Sequence, residues 1–429
     1  TADAPWEDWT FGAQSVVQEG NRIRLYARSA IPNLKRSDTA LMSLLESTDG
    51  GRSFQRPELG LVEFNGSKKN NLIAQGKSPI MPAAFIDECP ACAPDARYKG
   101  FCDGWQKLHA MASADGLHWR VLEPNPVAMK GMFDTVNTCF WDTQIGRYRA
   151  YTRNFIADPA VGPDSAGYKT QHRPESSQFG FRSIQVSTSE DFVNWADPLP
   201  LQYADGEDVH QMYTNAVVPC PGAEHLYVGF PNRLVEGRTI RAGVEYPGVN
   251  DALFMSSRDG VHWNRWREAW VRPGRDPRNW THRNHYPVWH IIRTSAEEWS
   301  ILISEHYMQS DKVPCRLRRI SIRPWGFVSV QAGYRPGELM TRPFVFSGRQ
   351  LRLNYATSAA GCIRVEVQDL AGKPIPGFAQ DDMPFVFGDE LDAPVAWKGG
   401  GDVGRLTGTP VRLRIQLRDA DLFSLRFSE

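Results

Sequence analysis

A short turn pattern recurs four times in this chain, and no other sequence feature restricts the fold as strongly. The copies read Ser47-Thr48-Asp49-Gly50-Gly51-Arg52-Ser53-Phe54, Ser113-Ala114-Asp115-Gly116-Leu117-His118-Trp119, Thr188-Ser189-Glu190-Asp191-Phe192-Val193-Asn194-Trp195 and Ser257-Arg258-Asp259-Gly260-Val261-His262-Trp263. Their aspartates lie 66, 76 and 68 residues apart, and a degenerate fifth copy, Arg323-Pro324-Trp325-Gly326-Phe327, comes about 66 residues later. Each copy comes after an alternating apolar run and ends in an aromatic. Asp and Gly in that setting make a tight hairpin turn, through a side-chain bond to the backbone and a permissive φ, with the aromatic packed on the sheet beneath. A hairpin returning at such a period marks a radial repeat with one blade per period. The expected count is five blades.

The stretches between turns support an all-β chain. Arg22–Arg28, Tyr148–Arg153 and Ile301–Glu305 alternate and are rich in aromatic or β-branched residues, as are Lys107–Ala112, Leu226–Phe230 and Leu317–Ile322. Helical periodicity is not sustained over three turns anywhere. A chain of 429 residues exceeds one ordinary domain, although a single propeller can occupy most of it. With 41% hydrophobic residues it can fill a core, and its 14 Trp, 13 Tyr and 21 Phe suit stacked sheets and an aromatic-lined cleft.

Charge and cysteine content narrow the partners. Lys plus Arg and Asp plus Glu both number 49, so no global field favours nucleic acid or an acidic membrane surface. No run of eighteen apolar residues offers a membrane span. The chain starts at Thr1 without a leader or an initiator Met, which reads as a mature or trimmed product located in the periplasm or outside the cell. Cys89-Pro90-Ala91-Cys92 with Cys102 could hold zinc, given a fourth ligand such as Cys139. A disulfide pinning the Cys89–Cys102 loop is the preferred reading for an exported chain, and seven cysteines leave at least one thiol free. No cofactor is expected.

The sequence changes character after the turn-rich Gly333-Tyr334-Arg335-Pro336-Gly337-Glu338. Beyond it Phe344–Phe346, Gln350–Tyr355, Ile363–Val367, Val411–Leu417 and Leu422–Phe427 alternate strictly, separated by Gly, Pro and Asp clusters. That is the pattern of a sandwich. The expected fold is a five-bladed β-propeller over residues 1–340, followed by a C-terminal β-sandwich over 341–429.

This layout resembles the glycoside hydrolases of families 32 and 68, and the propeller alone looks like families 43 and 62. A bacterial group of family 32-like glycosyl hydrolases is similar in Pro57–Gly66, Ala96–Gly100, Phe133–Asn137 with Trp141-Asp142, Tyr213–Val217 and Leu351–Tyr355. The resemblance implies acidic groups gathered in a funnel where the innermost strands meet. One carboxylate would be nucleophile or base, another the proton donor, and a third would steady the transition state. Cleavage of a glycosidic bond needs two carboxyls facing each other across it, and the one acting as acid must be kept protonated by its surroundings. The chain has no Asn-Asp-Pro-Asn stretch, and its Glu88-Cys89-Pro90 falls in the second repeat instead of the third, which argues against fructosidase activity.

Four acids are therefore candidates for catalysis. Asp134 opens the third repeat just before Val136–Trp141, where it would point into the funnel as base or nucleophile; a turn aspartate capping the strand is the plainer alternative. Glu207 and Asp208 precede the first strand of the fourth repeat, and only one of two adjacent acids can face the funnel. Glu305 ends an apolar strand beside His306 and Tyr307 and is a candidate acid. Around them Asp8, Asn137, Arg153, His210, Tyr213, His282, His285 and Tyr286 are expected to contact substrate. Arg153 could pair with Asp134 and keep it charged. His282 and His285 could bind a metal, but no third ligand stands near them, and a polar rim for sugar is preferred.

The expected activity is hydrolysis of a glycosidic bond in an oligo- or polysaccharide. Two other readings stay open: a sialidase-like hydrolase, suggested by the first turn copy, and a non-catalytic carbohydrate-binding propeller. Stereochemistry, linkage and oligomeric state are not legible.

Overall fold

The computed structural model describes residues 3–7, 11–30, 40–76, 83–104, 107–156, 181–206, 210–238, 240, 248–307 and 313–429. Asp8, Glu207 and Asp208 lie outside the described residues. The chain is nearly all β, and among the described residues helix occurs only as short 3-10 turns such as Pro94–Ala96 and Pro277–Asn279. No helix there is long and apolar enough to cross a membrane.

Two compact units divide the chain, one comprising Thr1–Thr294 with Ser300–Ile320 and the other Ser295–Trp299 with Ser321–Glu429. Among the described residues, five mainly antiparallel sheets succeed one another before residue 323. The first consists of Gly12–Glu19, Arg22–Ala30, Ala40–Ser47 and Leu72–Gly76, paired in that order. The second comprises Ala83–Ile86, Tyr98–Gly104, Lys107–Ser113 and Arg120–Val121, and the third Thr138–Asp142, Arg147–Ile156, Phe181–Ser189 and Leu199–Pro200. Each predicted strand in this part falls on an observed one.

The fourth and fifth sheets depart from a simple four-strand plan. In the fourth, the first strand is split into Gln211–Thr214 and Val218–Cys220 and the second into Ala223–Gly229 and Asn232–Val235. Val249–Ser257 and His262–Val271 complete its antiparallel part, and Gln202–Tyr203 adds a short parallel edge. Ala216 sits between the halves of the first strand at φ +44°, and Pro231, which has no N–H to give, lies between those of the second. In the fifth sheet the first strand is split into Tyr286–Pro287 and Ile292–Arg293, with His290 between them at φ +84°. A positive φ is costly for any residue with a Cβ, so the ladder breaks at both places.

Hydrogen bonds from the first strands and the breaks within them join several of the sheets. Ala84 N donates to Ser15 Oγ (2.8 Å), joining second to first. Thr138 Oγ1 donates to Asn215 Oδ1 (2.7 Å), joining third to fourth. Trp289 Nε1 donates to Val217 O (2.8 Å), joining fifth to fourth, and Val16 N donates to Trp289 O (3.0 Å), joining the fifth sheet back to the first. Second strands add a repeated polar clamp. The phenol of Tyr98 donates to Glu19, that of Tyr148 to Asp87 (2.7 Å) and that of Tyr227 to Asp142 (2.7 Å), each tyrosine coming from the sheet after its acid. A cation completes each clamp: Arg97 on Glu19 (2.6 Å), Lys99 on Asp87 (2.5 Å) and Arg149 on Asp142 (2.7 Å). The half-buried Glu19 and the buried Asp87 and Asp142 thereby keep both a charge partner and a hydrogen bond.

The four turn copies lead out of the third strand in each of the first four sheets toward the fourth strand. Their aspartates act alike. In the second copy Asp115 Oδ1 accepts from Leu117 N (2.8 Å) and His118 N (2.9 Å) while Ser113 Oγ reaches it at 3.1 Å. Asp259 Oδ1 accepts from Val261 N and His262 N, both at 2.8 Å, in the fourth. Trp119, Trp195 and Trp263 each donate the indole N–H back to the turn. These acids are structural and exposed.

The cysteine expectation needs correcting: none of the seven cysteines is in a disulfide, so Cys89 and Cys102 are not bridged. Cys102 is buried within the second sheet, where it pairs with His109 across the ladder, so the strand itself fixes the segment.

The C-terminal unit is one five-stranded sheet dominated by two long strands, Gln350–Gln368 and Arg412–Ser428. Four of the predicted short strands are halves of these two. The register between them shifts from Thr357 to Cys362, and side chains from both halves, including Leu351, Leu353, Ile363, Val365, Leu413 and Ile415, enter one core with Trp397 and Phe378. Val330–Ala332 and Gly337–Met340 pair with the last strand, which draws the start of this unit ahead of the composition change at residue 341.

Candidate active site

The third, fourth and fifth sheets each contribute to one polar and aromatic cluster. Asp134 lies in a bend before the strand Thr138–Asp142. That bend is held from below by Asn137, whose buried amide donates to Phe133 O (2.8 Å) and Thr135 O (2.9 Å). Asn137 thus shapes the loop that presents the acid. The Asp134 carboxylate ion-pairs with Arg153, with 26% of its side chain exposed against 2% for the arginine. Arg153 stands inside the strand Arg147–Ile156 instead of at its end.

Alternation along neighbouring strands builds the floor. Arg182 in Phe181–Ser189 donates to Gln211 Oε1 and pairs with Glu236 at 3.1 Å. Gln211 and Tyr213, two residues apart, share one face of their strand. The guanidinium carbons of Arg153 and Arg182 each lie 5.2 Å from the Tyr213 ring centroid. His210 lies in a bend just before this strand, and the charged groups acting on it are Arg233, Asp251, Arg238 and Arg267.

The segment before the fifth sheet closes the cluster. His282 meets the Tyr213 ring edge-on at 5.3 Å, and Tyr286 stacks on it at 5.5 Å. Arg283 and His285 hold positive φ values of 68° and 57°. Such conformations persist only where surrounding bonds impose them, and here Asn232 Nδ2 donates to Asn284 O (3.1 Å) and His285 O (2.8 Å) while Arg283 N donates to Asn250 Oδ1 (2.6 Å). Asp134, Tyr213, His282, Arg283 and Tyr286 are half-buried; Arg153, Arg182 and Gln211 lie buried behind them.

This setting shifts several groups. Burial pushes the Tyr213 phenol up, but Arg182, Arg153 and Arg283 outweigh it and bring it down to about 8. Burial, reinforced by Arg283 and the other two arginines, lowers His282 to about 3. Tyr286 moves the other way, well above its ordinary value, because it is buried next to Tyr213. Burial also lowers Arg153, to about 10.

Glu305 belongs to a second cluster. It is buried, and its two carboxylate oxygens are taken by Arg316 Nε (2.7 Å) and Arg318 Nε (2.8 Å). Asp276 completes this group by contacting His306 Nε2 (2.7 Å) and Arg316 (3.4 Å). His285 is fully buried between the clusters; burial lowers it to about 4 despite the opposing pull of Glu305. Its ring nitrogens have no hydrogen-bond partner among the described residues. Among those residues no three His, Cys, Asp or Glu side chains gather as a metal centre would need.

Sequence reasoning missed Arg182, Gln211 and Glu236. Arg182 opens an apolar strand and reads as a surface residue until the partner strand is placed against it. The signal available was the alternation of Gln211 with Tyr213.

No protein-family model matches the chain, and no curated protein matches it in sequence. Among solved structures it is similar to a complex of BT0996 with RGII, at 11% identity and a TM-score of 0.46 over 77% of this chain and 92% of that one. It is also similar to an N-acetylgalactosamine deacetylase from F. plautii in complex with blood group B trisaccharide, at 13% identity and 0.45 over 75% and 91%. A third is the GH43_1 enzyme from Xanthomonas citri complexed with xylose, at 10% and 0.42 over 74% and 89%. At such identities and scores, activity has to be argued from the residues of this chain.

Proposed function

We propose that this chain is a glycoside hydrolase acting on an oligo- or polysaccharide, built as a five-bladed propeller followed by a C-terminal β-sandwich whose strands begin at Val330, in the periplasm or outside the cell. The observation that carries the reading is the Asp134–Arg153 pair at the half-buried mouth formed by Tyr213, His282 and Tyr286. A carboxylate held by a buried guanidinium stays charged and oriented, as a nucleophile or water-activating base must be. Flat aromatic faces beside it suit the apolar faces of a sugar ring, and their polar tips suit its hydroxyls.

In this reading Asp134 attacks the anomeric carbon or activates water against it. The second carboxyl comes from Glu207 or Asp208, just before Gln211 in the chain. Glu305 takes a positioning role, since both its oxygens face arginines and none is left to protonate a leaving oxygen. Tyr213, His282, His285 and Tyr286 form the rim and its support. Asp8 remains a candidate sugar contact.

The test is a screen of plant and algal oligosaccharides for released reducing ends, repeated with Asp134→Asn. Cleavage by the native protein that the variant loses supports the proposal. Binding without cleavage across the panel replaces it with a carbohydrate-binding propeller.

A further inference from the structure

The outer face of the C-terminal sheet is a network of planar polar side chains. Ile363, Val365 and Val367 on one long strand and Leu413, Ile415 and Leu417 on the other enter the core, so the residues between them face the opposite side. There the register sets Arg364 against Gln416 and Glu366 against Arg414, while Gly337–Met340 adds Glu338 beside Gln416. These groups are tied to one another. Arg414 pairs with Glu338 and, at 3.8 Å, with Glu366. Glu366 accepts from Gln368 Nε2 (2.7 Å) and Gln380 N (3.1 Å), and Gln380 Nε2 donates to Gln416 Oε1 (2.7 Å). Side chains fixed in this way have little rotamer freedom left to lose on binding.

One margin of this face carries two aromatic rings. Val386 exchanges backbone hydrogen bonds with Ile363 (2.9 and 3.1 Å) and packs on the core, which turns Phe385 and Phe387 to the outer side. Phe385 is 51% exposed and Phe387 68%. Two such rings standing together in water mark a contact surface. Phe385 is braced from within, because the guanidinium carbon of Arg364 lies 4.0 Å from its ring centroid. Arg364 in turn reaches Asp381 at 3.5 Å.

Going beyond the hydrolase reading and independent of it, we propose that this face of the C-terminal unit is a second carbohydrate site, which takes a polysaccharide strand. A sugar ring has apolar C–H faces and a rim of hydroxyls that both donate and accept. Phe385 and Phe387 receive the apolar faces. Arg364 and Arg414 donate to hydroxyls and Glu338 accepts from them; Gln416 has its oxygen engaged by Gln380, which leaves its NH₂ group to donate. A floor offering donors and acceptors together suits a polyol, whereas an apolar peptide or a lipid surface would leave these groups unmet. From Phe385 across to Glu338 the three strand spacings amount to about 14 Å, room for a short run of sugar rings.

The experiment is native affinity electrophoresis of the full chain in gels containing xylan, mannan, mixed-linkage glucan or polygalacturonate. At least one of these should retard the native protein. The double variant Phe385→Ala/Phe387→Ala should weaken that binding about ten- to a hundredfold, the usual effect of removing aromatic anchors. Both rings are exposed, so its melting temperature should match that of the native protein. Retardation that the folded double variant keeps overturns the proposal, since binding then lies elsewhere. No retardation of the native protein in any of the four gels overturns it too. Self-association of the native protein in sedimentation, lost in the double variant and with no retardation in the gels, would assign the face to a second copy of this chain instead. Cleavage of a soluble oligosaccharide should be unchanged in the double variant. Polysaccharide binding that depends on the two rings, with no cleavage of any substrate, leaves this site standing and defeats the hydrolase reading alone.

Discussion

Asp134 is ion-paired with Arg153 from a loop on one side and a buried strand on the other, so the carboxylate reaches solvent while its partner does not. This asymmetry separates the two roles. The arginine is fixed by burial, and the acid is free to meet a ligand. An aspartate that merely capped the strand would bond backbone N–H groups, as the four turn aspartates do.

The arginines around Tyr213 make binding depend on pH. The phenol titrates near 8 because Arg182, Arg153 and Arg283 outweigh the effect of burial, with His282 neutral and Tyr286 still protonated beside it. Above that pH the phenolate cancels part of the positive charge an anion would use. Affinity for an anionic ligand beside this ring should fall as pH rises through about 8. Tyr213→Phe should flatten the profile, and calorimetry at several pH values reads both outcomes.

Acid should weaken the fold earlier than carboxylate protonation alone would. His282, His285 and His290 are lowered by burial to about 3, 4 and 3, from an ordinary value near 6.5. Their depressed folded-state values mean that the unfolded chain takes up protons first as pH falls. Stability is full above about 6.5 and declines through 4 and 3. Thermal melts between about pH 7 and 4 should show the drop, and His290→Gln should reduce it.

Turn glycines differ in what surrounds them. A Cβ on Gly116, at φ +75°, would stand 2.5 Å from the Tyr26 hydroxyl and 2.9 Å from Arg24 Nη1 of the first sheet. Gly20, at φ +58°, has nothing within 4 Å. Gly116→Ala should cost about 2–4 kcal/mol and Gly20→Ala about 1 kcal/mol, measured by denaturant titration.

Among the sheet junctions, Asp87 depends on Lys99 and Tyr148. Lys99→Met leaves a buried carboxylate short of its charge partner and should cost about 3–5 kcal/mol. Tyr148→Phe removes one hydrogen bond and should cost about 1–3 kcal/mol. Chemical unfolding of the two variants orders them.

Much of the fold was legible because the turn copies announce themselves locally. Ser113, Asp115 and Trp119 bond within seven residues, so their spacing carries the whole geometry. The breaks at Ala216 and His290 were not legible, since a positive φ at a residue other than glycine is imposed from outside. In the C-terminal unit, the bend between Thr357 and Cys362 hid the continuity of two long strands. The candidate site was half legible. Asp134, Arg153, Tyr213, His282 and Tyr286 were found by their chemistry and are in one cluster. Arg182 and Glu236 join it only through pairing across sheets, and Glu305 leaves it because Arg316 and Arg318 on the next strand hold both its oxygens.

The most direct test of the catalytic reading is the turnover of Asp134→Asn on whichever oligosaccharide the native protein cleaves, with melting temperature and substrate affinity measured alongside. The expected result is a variant that folds and binds while turnover falls about 10²- to 10⁴-fold, the usual loss for an acid–base group. Turnover at the native rate in a folded Asp134→Asn protein would contradict it.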